Sequence, residues 1–176
     1  MQRIVGSVAS LAQHLTLIAT DPEQYRPAAC PHCGRAGVWR HGHYDRKADR
    51  GGGGALNPVA MLRFFCRGCE VTCSRLPACV TPRRWYDWAV QQAVLILLLM
   101  GESLHGCARA SGRDRRTVRR WRDWLRERDA QFAFALRSRW PELGRVADFD
   151  AFWRHVIDER SLQQVMSWLD RELVVP

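Results

Sequence analysis

Two cysteine pairs, Cys30-Pro31-His32-Cys33 and Cys66-Arg67-Gly68-Cys69, are the residues of this chain whose types and spacing most clearly imply chemistry. Two thiolates three positions apart on a tight turn can share one Zn²⁺ at about 2.3 Å each, and a second such turn completes a tetrahedron. The pattern predicts a structural zinc site with Cys30, Cys33, Cys66 and Cys69 as ligands. His32, His41, His43, Cys73 and Cys79 are close enough in sequence to replace one of them, Cys73 first; the reading preferred for Cys73, Cys79 and Cys107 is as small buried hydrophobes. A disulfide framework fits less well, because seven cysteines is an odd number and no secretory leader pattern is visible. A thioredoxin-like redox site needs one C-x-x-C in a βαβ setting, which this sequence lacks.

The elements between the pairs must bring them together, and they read as a hairpin. Val38-Trp39-Arg40 begins one strand, the Gly51–Gly54 run forms the tip, and Met61-Leu62-Arg63-Phe64-Phe65 returns. Knuckle, strand, loop, strand, knuckle is the order of a zinc ribbon. Arg40, His41 and His43 are expected on a polar strand face in reach of phosphate. His41-Gly42-His43 superficially resembles the histidine pair of single-strand nickases, but its central residue is Gly and no room remains for that fold's sheet. Upstream, Val8, Leu11, Leu15 and Ile18 recur at helical spacing and predict an amphipathic helix within residues 1–27, ended by Asp21-Pro22. Downstream, Pro77 and Pro82 predict an extended linker, since each proline restricts itself and the residue before it.

A second chemistry resides in arginine. A core helix is expected from about Pro82–Trp85 to Gly101, too short and too polar at Gln91 and Gln92 to span a bilayer. Ser103 to Ser111 then reads as a short helix, Gly112 as a tight turn, and Asp114 as the cap of a helix beginning Arg115-Arg116-Thr117-Val118. A small Ala108 permits a close crossing, the logic of a helix-turn-helix. At about 100° per residue, Val118, Trp121, Leu125, Phe132 and Leu136 share one stripe, while Arg115, Arg119, Arg122 and Arg126 share another, with Arg116 and Arg120 further round. Arg109 to Arg128 holds nine Arg against Asp114, Asp123 and Glu127. Phosphate neutralises such a density, and each contact releases condensed counterions, so binding should weaken steeply with salt. Arg113 stands where the turn motif usually has an apolar residue.

The whole chain follows the same sign. It carries 27 basic against 18 acidic residues, a formal +9, with Lys47 the single lysine; polyanions are the usual partner of such an excess. Residues 141–176 reverse it, with Glu142, Asp148, Asp150, Asp158, Glu159, Asp170 and Glu172 against four Arg. Phe149, Phe152, Trp153 and Val156 predict one helix there, and Leu162, Val165, Met166, Leu169 and Leu173 another, started by Ser161. The acids are expected as helix caps and a solvent face, since a two-metal nuclease needs carboxylates on a separate α/β core. An acidic amphipathic hairpin also offers a docking surface for a transposase or recombinase, or for a second copy of this chain.

Cys30-Pro31-His32-Cys33-Gly34, then Arg40-His41-Gly42-x-Tyr44, Phe64-Phe65-Cys66-Arg67-x-Cys69 and Thr72-Cys73-Ser74-x-Leu76-Pro77, resembles the zinc-ribbon front end of bacterial insertion-sequence transposases. The helix-turn-helix that follows keeps the same order. The sequence is similar in particular to short relatives that carry this front end without a catalytic domain. The likeness covers roughly residues 22–126 and departs at Glu70, where the pattern has Gly, and at Cys73, where an aromatic is common. It implies DNA binding at element ends or promoters with the four matched cysteines as zinc ligands.

Together these readings predict a mainly α protein with a small β zinc ribbon, in four parts: lead-in helix 1–27, zinc ribbon 28–80, helix-turn-helix domain 82–140, and acidic helical hairpin 141–176. The expected function is sequence-specific binding of double-stranded DNA by a non-catalytic, cytoplasmic, nucleoid-associated protein of a mobile element, acting in transposition or transcription control. Arg115, Arg116 and Arg119 are expected nearest the bases and Arg120, Arg122 and Arg126 on the backbone, with Arg113 also among the DNA-binding residues. The alternative is an adaptor that recruits a recombinase with only weak DNA contact. A basic surface does not choose its polyanion, so RNA stays open as well.

Overall fold

Strands rich in β-branched and aromatic residues build the first half of the chain. The computed structural model describes residues 1–50, 53–82, 86–173 and 175, and the chain divides into two compact units, Met1–Asp87 with the C-terminal residues and Trp88–Leu173. Strands β1 (Gln2–Val5), β2 (Val38–Arg46), β3 (Val59–Cys66) and β4 (Thr72–Pro77) form one sheet in the order β1-β4-β3-β2. The β2–β3 and β3–β4 pairs are antiparallel and β1 runs parallel to β4. The hairpin expected between the cysteine pairs is there, with Val38 opposite Cys66 and Trp39 opposite Phe65. Its Gly51 and Gly52 lie outside the described residues.

Two expectations give way. The Pro-flanked segment after Cys69 is not a linker but the central strand β4, with Pro77 confined to its last position, where a missing N–H costs least. Residues 1–27 are not only a helix: Gln2–Val5 pairs with β4, and helix α1 (Leu11–Thr20) starts later, its first turn capped by the Ser10 side chain accepting from the Gln13 N–H. Val8 therefore packs from the loop before α1, where it joins Val5, Tyr25, Leu62, Phe64 and Cys73 in a core cluster. A second cluster sets Leu11 and Leu15 against Val59, Met61, Leu76 and Val80. With a four-stranded sheet, the fold is mixed α/β, not mainly α with a two-stranded ribbon.

His14 sits at the centre of this unit, fully buried. Its Nε2–H donates to the Ala60 carbonyl at 2.8 Å, which leaves Nδ1 to accept from the Tyr25 hydroxyl. Burial holds the imidazole pKa below its ordinary value, against the upward pull of the Ala60 carbonyl.

Five helices make the second unit: α2 (Trp88–Leu99), α3 (Leu104–Ser111), α4 (Arg115–Arg139), α5 (Phe149–Glu159) and α6 (Leu162–Glu172). Arg83, Arg84 and Trp85, where the core helix was expected to start, lie outside the described residues. Helix α2 is apolar nearly all round and touches each of the other four, so it forms the hub of this core. It ends where Gly101 takes a φ of 89°. The expected stripe of α4 is buried at Val118, Trp121, Leu125, Phe132 and Leu136. Helices α5 and α6 bury Phe152, Trp153 and Val156, and Leu162, Val165, Met166 and Leu169. Fully burying one such side chain stabilises by about 1.5–3 kcal/mol. Trp153 also donates its Nε1–H to Asp129 at 2.8 Å, and Gln92 accepts the Leu162 N–H at 2.7 Å, which fixes the start of α6 beside α2. No helix among the described residues is long and apolar enough to cross a membrane.

Candidate metal centre and basic helix

The two cysteine turns are built alike. In the first, the Gly34 N–H donates to the Cys30 carbonyl and the Cys30 N–H to the Arg35 carbonyl, both at 2.8 Å. In the second, the Glu70 N–H donates to the Cys66 carbonyl at 2.8 Å and the Cys66 N–H to the Val71 carbonyl at 3.1 Å. Each turn thus closes on its own first cysteine and aims both thiols to one side. The ladder brings the turns together: Cys66 ends β3 opposite Val38, just beyond the first turn. Arg35 braces the pair from outside, its guanidinium donating to the Gly68 carbonyl at 3.2 Å.

All four sulfurs lie within 4.8 Å of one another, with Cys30–Cys69 and Cys33–Cys66 both at 3.7 Å. A tetrahedron with Zn–S bonds of about 2.3 Å has edges of about 3.8 Å, so the donor set fits zinc in type, number and spacing. The electrostatics agree. Burial pushes the Cys30 thiol up, but the N–H groups of Cys33 and His32 and the Cys69 and Cys66 thiols outweigh it and bring it down to about 7. At Cys69 the Val71 N–H pulls down, yet burial and the three neighbouring sulfurs win and push the thiol up to about 12. Four thiolates this close repel one another, so the donor set calls for a cation at its centre.

Cys73 stays outside this cluster among the described residues. It is buried on the sheet against Phe64, and burial raises its thiol pKa; burial likewise raises Cys79, to about 11, and Cys107. Cys73 and Cys107 are core thiols, Cys79 is half-buried against the Val59–Leu76 cluster, and among the described residues no histidine joins the four sulfurs.

The arginine helix is positioned by the turn before it. Ser103 caps α3, Gly112 takes φ 64° at its end, and the Asp114 carboxylate accepts the Arg116 N–H at 2.7 Å to start α4. Cys107, rather than Ala108, is the fully buried small residue in this corner, and Val118 at the start of α4 is fully buried as well. Arg115, Arg116, Arg119 and Arg120 are exposed and pair with no described residue. The other expected contacts differ. Arg122 is half-buried and held by Asp123 through two hydrogen bonds of 2.9 and 2.8 Å. Arg113 is half-buried and donates to the Ser111 carbonyl at 3.1 Å, and Arg126 lies 5.6 Å from the Phe149 ring. The free positive face is therefore the first two turns of α4.

Arg40, His41 and His43 are exposed but do not share one strand face. The β2–β3 register shifts between Arg40 and His43, so Arg40 pairs with Phe64 and His43 with Leu62, while His41 turns to the Phe65 ring at 5.6 Å. Sequence reasoning missed what lies on the side of His41: Trp39 and Phe65 are cross-strand neighbours, and the Arg67 guanidinium sits 5.1 Å from the Trp39 ring. The signal was Trp39 and His41 two apart on one strand with Phe65 on the other, but which side is solvent depends on what covers the sheet.

Residues 30–121 match a domain of unknown function, DUF6431, over more than half the chain. The chain belongs to the DUF6431 family. The match begins at the first ligand, Cys30, and ends in α4 at Trp121, so DUF6431 takes in both cysteine turns, β2 to β4, α2, α3 and the exposed arginines of α4. No curated protein and no solved structure matches the chain.

Proposed function

We propose that this protein is a zinc-stabilised, non-catalytic binder of double-stranded DNA, serving a mobile genetic element as an accessory or regulatory factor. The observation that carries the reading is the start of α4: four exposed arginines on two turns, behind a left-handed Gly112 turn and opposite a buried Val118–Trp121–Leu125 stripe. Early residues of a recognition helix reach base edges in the major groove, where Arg paired to guanine is the commonest specific contact. Arg115, Arg116 and Arg119 take that role, and Arg120 lies on backbone. When bound, Zn²⁺ supplies the cross-link that holds Cys30, Cys33, Cys66 and Cys69 together; the chain's own contribution is the pair of turns that preset their spacing. The mobile-element setting rests on the resemblance of residues 22–126 to transposase front ends.

Helices α5 and α6 turn their apolar sides into their own unit, which leaves exposed acids but little apolar surface for a recombinase to dock on. That favours direct DNA contact over the adaptor reading. Selection of bound sequences from a random duplex pool, with zinc measured on the same preparation, tests the proposal: enrichment of one motif supports it, and recovery of an unenriched pool sinks it.

A further inference from the structure

The sheet carries a surface that the duplex reading leaves unused. Trp39 is 53 % exposed, an unusual state for the largest apolar side chain, and its cross-strand partner Phe65 is half-buried beside it. The His41 ring lies 5.6 Å from Phe65, and the Arg67 guanidinium 5.1 Å from Trp39. Arg63, two positions before Phe65, emerges on the same side and pairs with no described residue. It also lines an adjoining depression of about 330 Å³ with Met1, Gln2, Tyr44, Thr72 and Ser74, within the usual range of small-ligand clefts. Strands β1, β3 and β4 contain no carboxylate at all, and the one in β2, Asp45, lies beyond the register shift near His43.

An exposed indole cross-strand from Phe65, the His41 ring 5.6 Å from Phe65, and two arginines suit one kind of occupant. Aromatic side chains stack on any nucleobase that offers an open face, and guanidinium groups hold the phosphates between bases. A duplex hides its base faces within its own stack, so the fitting ligand is unpaired. We infer that this face of the sheet binds a single-stranded nucleic acid, with bases stacked on Trp39 and Phe65 and phosphates on Arg63 and Arg67. The site belongs to the first unit and is independent of the arginines of α4.

The test uses the full zinc-loaded chain and fluorescently labelled (dT)15 and (rU)15, which cannot form duplex, with dextran sulfate as a polyanion without bases. Trp39→Ala and Phe65→Ala should each weaken strand binding about tenfold, Trp39→Phe should restore most of it, and dextran sulfate affinity should not follow. Preference for (rU)15 over (dT)15, or the reverse, assigns the strand as RNA or DNA and supports the inference either way. Equal loss on dextran sulfate, unchanged strand affinity in Trp39→Ala, or no binding of either strand overturns it. Trp39 is exposed, so its variants should keep full zinc content and fold; His41→Ala, expected to weaken binding in the same direction, serves as a second variant should Phe65→Ala misfold.

Discussion

Glu70 occupies the same place in the second cysteine turn as Gly34 does in the first. Both follow the second cysteine, both donate their N–H to the carbonyl of the first at 2.8 Å, and both adopt a left-handed backbone, φ 57° for Glu70 and 73° for Gly34. Glu70 is the one described non-glycine residue with positive φ. The closing hydrogen bond of the turn demands that conformation whatever the side chain, so a glutamate is held where glycine is at ease.

The strain at Glu70 should therefore be removable. Glu70→Gly is expected to stabilise the zinc-loaded protein by up to about 1 kcal/mol, and Gly34→Ala to destabilise it by about 1–2 kcal/mol. Thermal unfolding checks both. A fall in Tm for Glu70→Gly would mean that the glutamate side chain has a task beyond the turn.

One zinc per chain should co-purify and should depend on the four clustered thiols alone. Cys66→Ser is expected to lose the metal and unfold the first unit, whereas Cys73→Ala should keep full occupancy because Cys73 packs against Phe64. Metal analysis of each purified variant decides. Zinc lost from Cys73→Ala with the fold intact would reinstate Cys73 as a ligand.

Arg119 and Arg122 are one helical turn apart yet should behave differently on duplex DNA. Arg119 is exposed and unpaired among the described residues, and its replacement by Ala should cost about 1–3 kcal/mol on a cognate site if it reads a base. Arg122 is tied to Asp123 at 2.8 Å, so Arg122→Ala should change affinity by less than about 0.5 kcal/mol. Titrations at several salt concentrations separate the two, and equal losses would contradict the pairing.

Acid should loosen the first unit through His14. Its pKa is lowered by burial in the folded protein, and unfolding returns it to the ordinary value of 6.5. The unfolded chain then binds the proton more readily, so this contribution is intact above about pH 6.5 and is lost as pH falls below it towards the folded pKa. Protonation would also place a second donor, Nδ1–H, against the Tyr25 hydroxyl. Zinc release in acid affects every variant alike, so the comparison is with His14→Gln: the drop in urea midpoint from pH 8 to pH 5.5 should be smaller in the variant. Equal drops would remove His14 from the account.

What could be read from the residues alone was whatever depends on neighbours in sequence. Cysteine spacing marked the knuckles, Ser103, Asp114 and Ser161 marked helix starts, Gly112 marked the turn, and the period of Val118, Trp121 and Leu125 marked the buried side of α4. These are decided within a turn or two of chain, by hydrogen bonds and helical phase. Partnerships across long separations were not legible. Nothing in Gln2–Val5 announces that it will lie along Ser74–Pro77, and the two prolines disguised β4 because a strand's place in a sheet is fixed by its partners, not by its own composition. The same holds for side chains: Arg122 looked as free as Arg119 until Asp123 was seen to hold it, and nothing near Trp39 in sequence said which way it would face until the register left it facing water. Local chemistry chose the elements and the ligands; long-range pairing decided which groups stay available, because burial and hydrogen bonding belong to the assembled surface and not to any residue by itself.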